Sequence, residues 1–141
     1  MPAERRRAVV RKLRGFVRLC EVGIGTRPAV AAALASDGRA VTATDVVDRA
    51  TPEGVRFVRD DVAAAADRDD PGEHYRVDCV YALNCPPELH RPLVRVAAGV
   101  DAACCFTTLG GDPPAVEAEP VALPGGDTLF VACDPDGVLT G

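Results

Sequence analysis

A chain of 141 residues, 48% apolar and 26% charged, can bury one core without staples and has too little length for a separate substrate domain. Its formal charge of −5 argues against a surface that binds nucleic acid generally, and its apolar content argues against disorder throughout. With no Trp, two Tyr and four Phe, the packing must come from Val, Ala and Leu, which suit buried parallel strands covered by helices.

Taken in chain order, residues 3–17 carry basic and apolar positions at helical spacing, with Val9, Val10, Leu13, Phe16 and Val17 on one face, and predict a basic opening helix. The β-branched run from Phe16 to Val22 after Gly15 predicts a first strand that ends in Glu21-Val22-Gly23-Ile24-Gly25. Pro28 suits the first turn of a helix over Ala29–Ser36, stopped by Gly38. Further strands are expected at 40–44, 55–58, 77–83, 102–107 and 128–133, with helices at 62–67 and 88–98. This alternation predicts a single Rossmann-like α/β domain over residues 1–141, with a mostly parallel twisted sheet of about six strands and helices on both faces. The ten residues from Asp45 to Gly54 are too few for a full crossover helix.

In such a sheet, ligands bind beyond the carboxyl ends of the strands, beside strand one. Gly23 and Gly25 lie there, between a strand and a Pro-started helix, where missing side chains let the backbone turn tightly and approach a nucleotide. A plain tight turn is the alternative. Asp45 ends the second strand twenty residues after Gly25, placed to accept both hydroxyls of an adenosine ribose, or else exposed in a turn. Asp60 and Asp61 follow the third strand, either to accept from an adenine amino group or to cap the next helix. His90 can serve as a general base or sit as a solvated or core-edge histidine.

Six cysteines lack any CxxC pair, and Cys104-Cys105 point to opposite sheet faces, so no metal site is expected. No apolar run of about 18 residues and no signal peptide appear, which predicts a reduced, cytoplasmic protein without a membrane partner. Nearly all positive charge is Arg, with Lys12 the only lysine, a bias that suggests a GC-rich, salt-adapted source.

The segments Glu21-Val-Gly-Ile-Gly25, Val41-Thr-Ala-Thr-Asp45 and Arg59-Asp-Asp61-Val62 resemble the first three motifs of class I S-adenosylmethionine-dependent methyltransferases. From Leu19 to Ala132 the chain resembles more closely a family of short archaeal Rossmann-like proteins of uncharacterised function. The segments that carry this likeness are Ala82-Leu-Asn-Cys-Pro-Pro-Glu-Leu-His90 and Phe106-Thr-Thr-Leu-Gly-Gly-Asp-Pro-Pro114. The resemblance implies S-adenosylmethionine as cofactor: Glu21 would orient its methionine part, Gly23 and Gly25 would pass beneath it, Asp45 would hold the ribose, and Asp61 and Val62 would flank the adenine. Arg27 stands where many methyltransferases have a third glycine, and would narrow the loop or pair with a cofactor carboxylate. Asn84-Cys85-Pro86-Pro87 is similar to the motif with which amino-methylating enzymes hold an acceptor, although Cys85 intervenes and no aromatic follows.

The leading expectation is therefore a small cytoplasmic S-adenosylmethionine-binding protein, with methyl transfer as its candidate activity and Asn84 and His90 as its candidate catalytic residues. One alternative is a non-catalytic nucleotide-binding or interaction module, favoured by the short chain and the missing aromatic. A nicotinamide oxidoreductase ranks below both, since Pro28 stands where a dinucleotide fold needs its third small residue. RNA contact through the basic helix ranks below a solvated helix face, and the final strand leaves a sheet edge open to oligomerisation.

Overall fold

The computed structural model describes residues 2–140 and contains a seven-stranded sheet with helices on both faces. In chain order the elements are α1 (Ala3–Leu13), β1 (Arg18–Val22), α2 (Ala29–Ser36), β2 (Ala40–Asp45), β3 (Val55–Arg59), α3 (Val62–Ala66), β4 (Cys79–Ala82), α4 (Pro87–Gly99), β5 (Ala103–Phe106), β6 (Glu119–Ala122) and β7 (Thr128–Cys133). A short 3-10 turn at Glu73–Tyr75 precedes β4. The strand order is β3-β2-β1-β4-β5-β7-β6; the first five strands run parallel, and β7 is antiparallel to both neighbours.

Period-two alternation along the central strands divides the core in two. Leu19, Cys79, Tyr81, Ala103 and Cys105 join Val9 and Leu13 of α1 and Val30 and Leu34 of α2 on one face. Cys20, Val80, Ala82, Cys104 and Phe106 join Leu93, Val96 and Ala97 of α4 on the other. Central strands with every residue but one buried are what a doubly covered sheet demands, and β1, β4 and β5 meet that demand. Emptying one such position, as in Leu93→Ala, removes a side chain with no exposure and should cost roughly 3 kcal/mol.

The structure corrects the sequence reading in three places. The opening helix ends at Leu13, not near 17: the chain breaks at Arg14 and Gly15, Phe16 turns into the core, and Val17 is exposed before β1 begins. The sheet has seven strands, because Glu119–Ala122 pairs antiparallel with β7. That segment escaped notice because Pro120 is a poor strand residue, tolerated here on an outer edge, and the strand buries nothing fully. The last strand, β7, returns antiparallel and lies between β5 and β6. The segment joining β2 to β3 has no helix, as its length required.

No helix among the described residues is long and apolar enough to cross a membrane. All six cysteines are free, and all but Cys133 are buried. Burial pushes the thiols of Cys20 and Cys104 far up and that of Cys85 up to about 12, so they pack as small hydrophobes and not as nucleophiles. A disulfide-exchange reagent should therefore label no thiol but Cys133 promptly in the folded protein, and all six after unfolding. Prompt labelling of several thiols under native conditions would show that the core is not closed as described.

Candidate functional site

The order of strands reverses at β1, which has β2 on one side and β4 on the other, and this opens a crevice beyond their carboxyl ends. Glu21, the fourth residue of β1, stands in register with Tyr81 of β4. In neighbouring parallel strands, register partners point to the same face, and Tyr81 donates its hydroxyl to Glu21 Oε1 at 2.7 Å. Glu21 is only 2% exposed. Burial, partly offset by the Tyr81 hydrogen bond, lifts its carboxyl from an ordinary value to about 7.

Past Glu21 the backbone leaves the sheet through two left-handed residues, Gly23 (φ 72°) and Gly25 (φ 57°). No atom lies within 4 Å of where a Cβ would sit on either, so glycine is required by conformation, and the space beside it belongs to the crevice. The loop is fixed from β2: Thr44 O accepts from Gly23 N at 2.9 Å and from Ile24 N at 3.1 Å. Asp45 Oδ2 accepts from Gly25 N at 2.8 Å, and Oδ1 from Val47 N at 3.4 Å. The Arg49 guanidinium stands 3.4 Å from the same carboxylate. Burial opposes ionisation of Asp45, but the Gly25 and Val47 amides and Arg49 outweigh it and hold the carboxyl below the usual carboxylate range.

The far wall comes from the turn after β4. Asn84 has φ 49°, a left-handed conformation that Asn tolerates better than most residues and that concentrates at functional turns. Its backbone N–H donates to Thr107 Oγ1 at 2.8 Å, and Cys85 N donates to Thr107 O at 2.8 Å, so the loop after β5 clamps this turn. His90 holds the same turn from below. It has no exposure, its Nε2 bonds Cys85 O at 2.9 Å, and its Nδ1 accepts from Ala115 N at 3.0 Å. With Nδ1 accepting, Nε2 carries the proton, and the ring stacks on Phe106 at 4.3 Å between centroids.

These walls enclose a cleft of about 560 Å3, inside the range of small-molecule sites. Glu21, Gly23, Gly25 and Asn84, four of the residues singled out in the sequence, line it together, with Arg27, Leu83 and Leu109 beside them. Asp45 acts from behind, through Gly25 and through Arg49, which does reach the cleft. The other residues singled out in the sequence stand apart. The Asp61 carboxylate accepts from Ala63 N at 2.9 Å and caps α3, Val62 is buried in the core of the opposite face, and both ring nitrogens of His90 are committed to backbone. Asp60 binds Arg68, His74 and Tyr75, which hold it ionised, at about 2, against the opposing effect of burial.

Sequence reasoning missed Tyr81, Arg49, Arg6 and Leu109 as cleft residues or their supports. Arg49 lies four residues after Asp45, a spacing that could have signalled the pair; Tyr81 needed the strand register, and Arg6 and Leu109 needed the tertiary fold.

This fold and crevice define a Rossmann-like α/β scaffold, and solved methyltransferases are similar to it in fold. Magnesium protoporphyrin IX methyltransferase from Synechocystis with bound S-adenosylmethionine superposes with TM-score 0.59 at 14% identity, over 90% of this chain and 76% of that one. A methyltransferase from Silicibacter pomeroyi gives 0.53 at 16% identity over 91% and 89%. At such identities the likeness is one of fold. The chain itself belongs to the family described as Uncharacterised protein family (UPF0146), whose model matches residues 5–134. A UPF0146 protein of Halobacterium salinarum is 53% identical over 119 residues, covering 83% of this chain and 88% of that protein. One from Archaeoglobus fulgidus is 43% identical over 95 residues, covering 67% and 70%.

The Glu21 carboxyl makes stability depend on pH with a definite sign. Because its folded value lies above its unfolded one, the native state keeps a proton that the unfolded chain releases, and stability falls as pH rises from about 4.5 through about 7. Glu21→Gln should therefore gain on the order of 2 to 3 kcal/mol over the parent on going from roughly pH 5 to pH 8. Parallel denaturant titrations check this; equal pH profiles for the two proteins would mean that Glu21 ionises as a solvated group.

Proposed function

We propose that the chain is a small cytoplasmic protein that binds S-adenosylmethionine in this cleft and transfers its methyl group to an acceptor held beside Asn84. The observation that carries the reading is the buried Glu21 carboxyl on the cleft wall, next to a glycine loop with open space beside it. A carboxyl that keeps its proton for want of a counter-charge invites a cation, and the methionine ammonium of S-adenosylmethionine is one. Binding would then ionise Glu21 and expel its proton.

The remaining groups fit the same ligand. Asp45, held ionised at the end of β2, would serve the ribose side from behind the wall, by fixing the Gly25 turn and the Arg49 guanidinium that reaches the cleft. Asn84 offers an amide to an acceptor nitrogen or oxygen. In methyl transfer the S–CH3 bond of the donor breaks as the acceptor's N–CH3 or O–CH3 bond forms, leaving S-adenosylhomocysteine and releasing the acceptor's proton to water in the open cleft. This asks chiefly for proximity and in-line orientation, and His90 contributes by fixing the Asn84 turn. The commitment of both His90 nitrogens favours a second reading, a module that binds the cofactor without turnover. Methyl transfer from labelled cofactor to cellular RNA and protein separates the two.

Calorimetric titration with S-adenosylmethionine, S-adenosylhomocysteine and NAD, at low and high salt, tests the cofactor itself. The first two should bind with micromolar dissociation constants and NAD should not bind. Asp45→Ala should weaken S-adenosylhomocysteine more than tenfold and cost about 1 to 3 kcal/mol of stability through the freed Gly25 amide. Silence from all three ligands, or an unchanged affinity in Asp45→Ala, would remove the assignment.

A further inference from the structure

We infer that the acceptor is a single-stranded nucleic acid, RNA in the first instance, whose phosphates lie along α1 while one base enters the cleft beside Asn84; this rests on the methyl-donor reading above. The charge distribution is the first support. Arg5, Arg6, Arg7, Arg11, Lys12 and Arg14 place six of the chain's sixteen cationic residues in one helix and its cap, on a protein of net charge −5.

Their pairing is the second. Of the ten arginines beyond α1 and its cap, Arg18, Arg49, Arg59, Arg68, Arg76 and Arg95 each stand against an aspartate. The other four, Arg27, Arg39, Arg56 and Arg91, are spread over separate elements and do not gather on one groove as Arg7, Arg11 and Arg14 do. Arg7, Arg11 and Arg14 are exposed, and none of them has an acidic partner among the described residues. Exposed guanidinium groups kept clear of carboxylates are open to phosphate oxygens, which they bind with a bidentate fork.

Position is the third. A groove of about 210 Å3 between α1 and α2 is walled by Arg6, Arg7, Arg11 and Arg14, and it shares Arg6 and Ala29 with the cleft, so the basic track runs into the candidate site. From Arg6 to Arg14 the helix rises about 12 Å, against about 3.4 Å per phosphate along a stacked strand, enough for several phosphates and more than one small anion uses. A membrane surface fits poorly, since the apolar side of α1 (Ala8, Val9, Leu13) is buried in the core and has nothing to insert. A base must leave its stack to reach Asn84, which favours a single strand. Leu109, 61% exposed on the cleft rim, supplies an apolar surface for the base where no aromatic stands.

Fluorescence anisotropy with a labelled single-stranded oligoribonucleotide of roughly 12 nucleotides, a length suited to such grooves, tests this across a potassium chloride series. The triple variant Arg7→Gln, Arg11→Gln, Arg14→Gln keeps good helix formers at exposed positions. It should bind the RNA at least tenfold more weakly, with the salt slope reduced by about 2, because single strands contribute about 0.7 per phosphate contact. Its affinity for S-adenosylhomocysteine should not change, and Arg56→Gln on β3 should leave RNA binding as it is. Absence of RNA binding, undiminished binding by the triple variant, or preference for polyglutamate over RNA would overturn the inference. A matched DNA strand that binds more tightly than the RNA would overturn the choice of RNA. RNA binding without S-adenosylhomocysteine binding would overturn the cofactor reading instead.

Discussion

A carboxyl group buried in the middle of a sheet is the constraint around which this molecule is arranged. Glu21 has no place in an apolar strand unless something answers its polarity, and Tyr81 does so from the register position on β4. One hydrogen bond makes the protonated acid tolerable but does not make the carboxylate so, and burial leaves the group near neutrality. The fold thus carries a group whose ionised form it leaves without a counter-charge. Such residues gather at binding sites, where a ligand supplies the missing charge.

The cleft around Glu21 is built by dividing tasks among strand ends. The β1 end supplies the acid and the glycine turn, the β2 end fixes that turn through Thr44 O and the Asp45 carboxylate, and the β4 end supplies Asn84 in a left-handed conformation. Each is braced by a neighbour: Arg49 against Asp45, Thr107 against Asn84, and His90 beneath the Cys85 turn. Bracing of this kind sets side chains in place before a ligand arrives. It also assigns His90, a residue of chemically suggestive type, to holding backbone.

The elements legible in the sequence were those with strong periodic or punctuation signals. Apolar β-branched runs ending at glycine marked β1, and the sequence from Glu21 to Gly25 marked the crevice because sheet topology, and not any one side chain, decides where ligands bind. The edge strand β6 was hidden by Pro120 and by its exposed pattern, which carry no alternation to read. The α1 boundary was misjudged because Phe16 and Val17 continue the apolar pattern past Gly15. Partnerships were the least legible. Nothing in the spacing of Glu21 and Tyr81, or of Asn84 and Thr107, announces their contact, since strand register and loop closure are set by the whole fold. Asp61 presented both a ligand and a capping reading, and its carboxylate caps α3.

Carbon-13 detection of the Glu21 carboxyl through a pH titration, assigned with Glu21→Gln and repeated with S-adenosylhomocysteine, addresses the central claim most directly. The free protein should show this group titrating near 7, and the ligand's ammonium should drive it down into or below the ordinary carboxylate range. An ordinary carboxylate titration in the free protein, or a value the ligand does not move, would contradict the account.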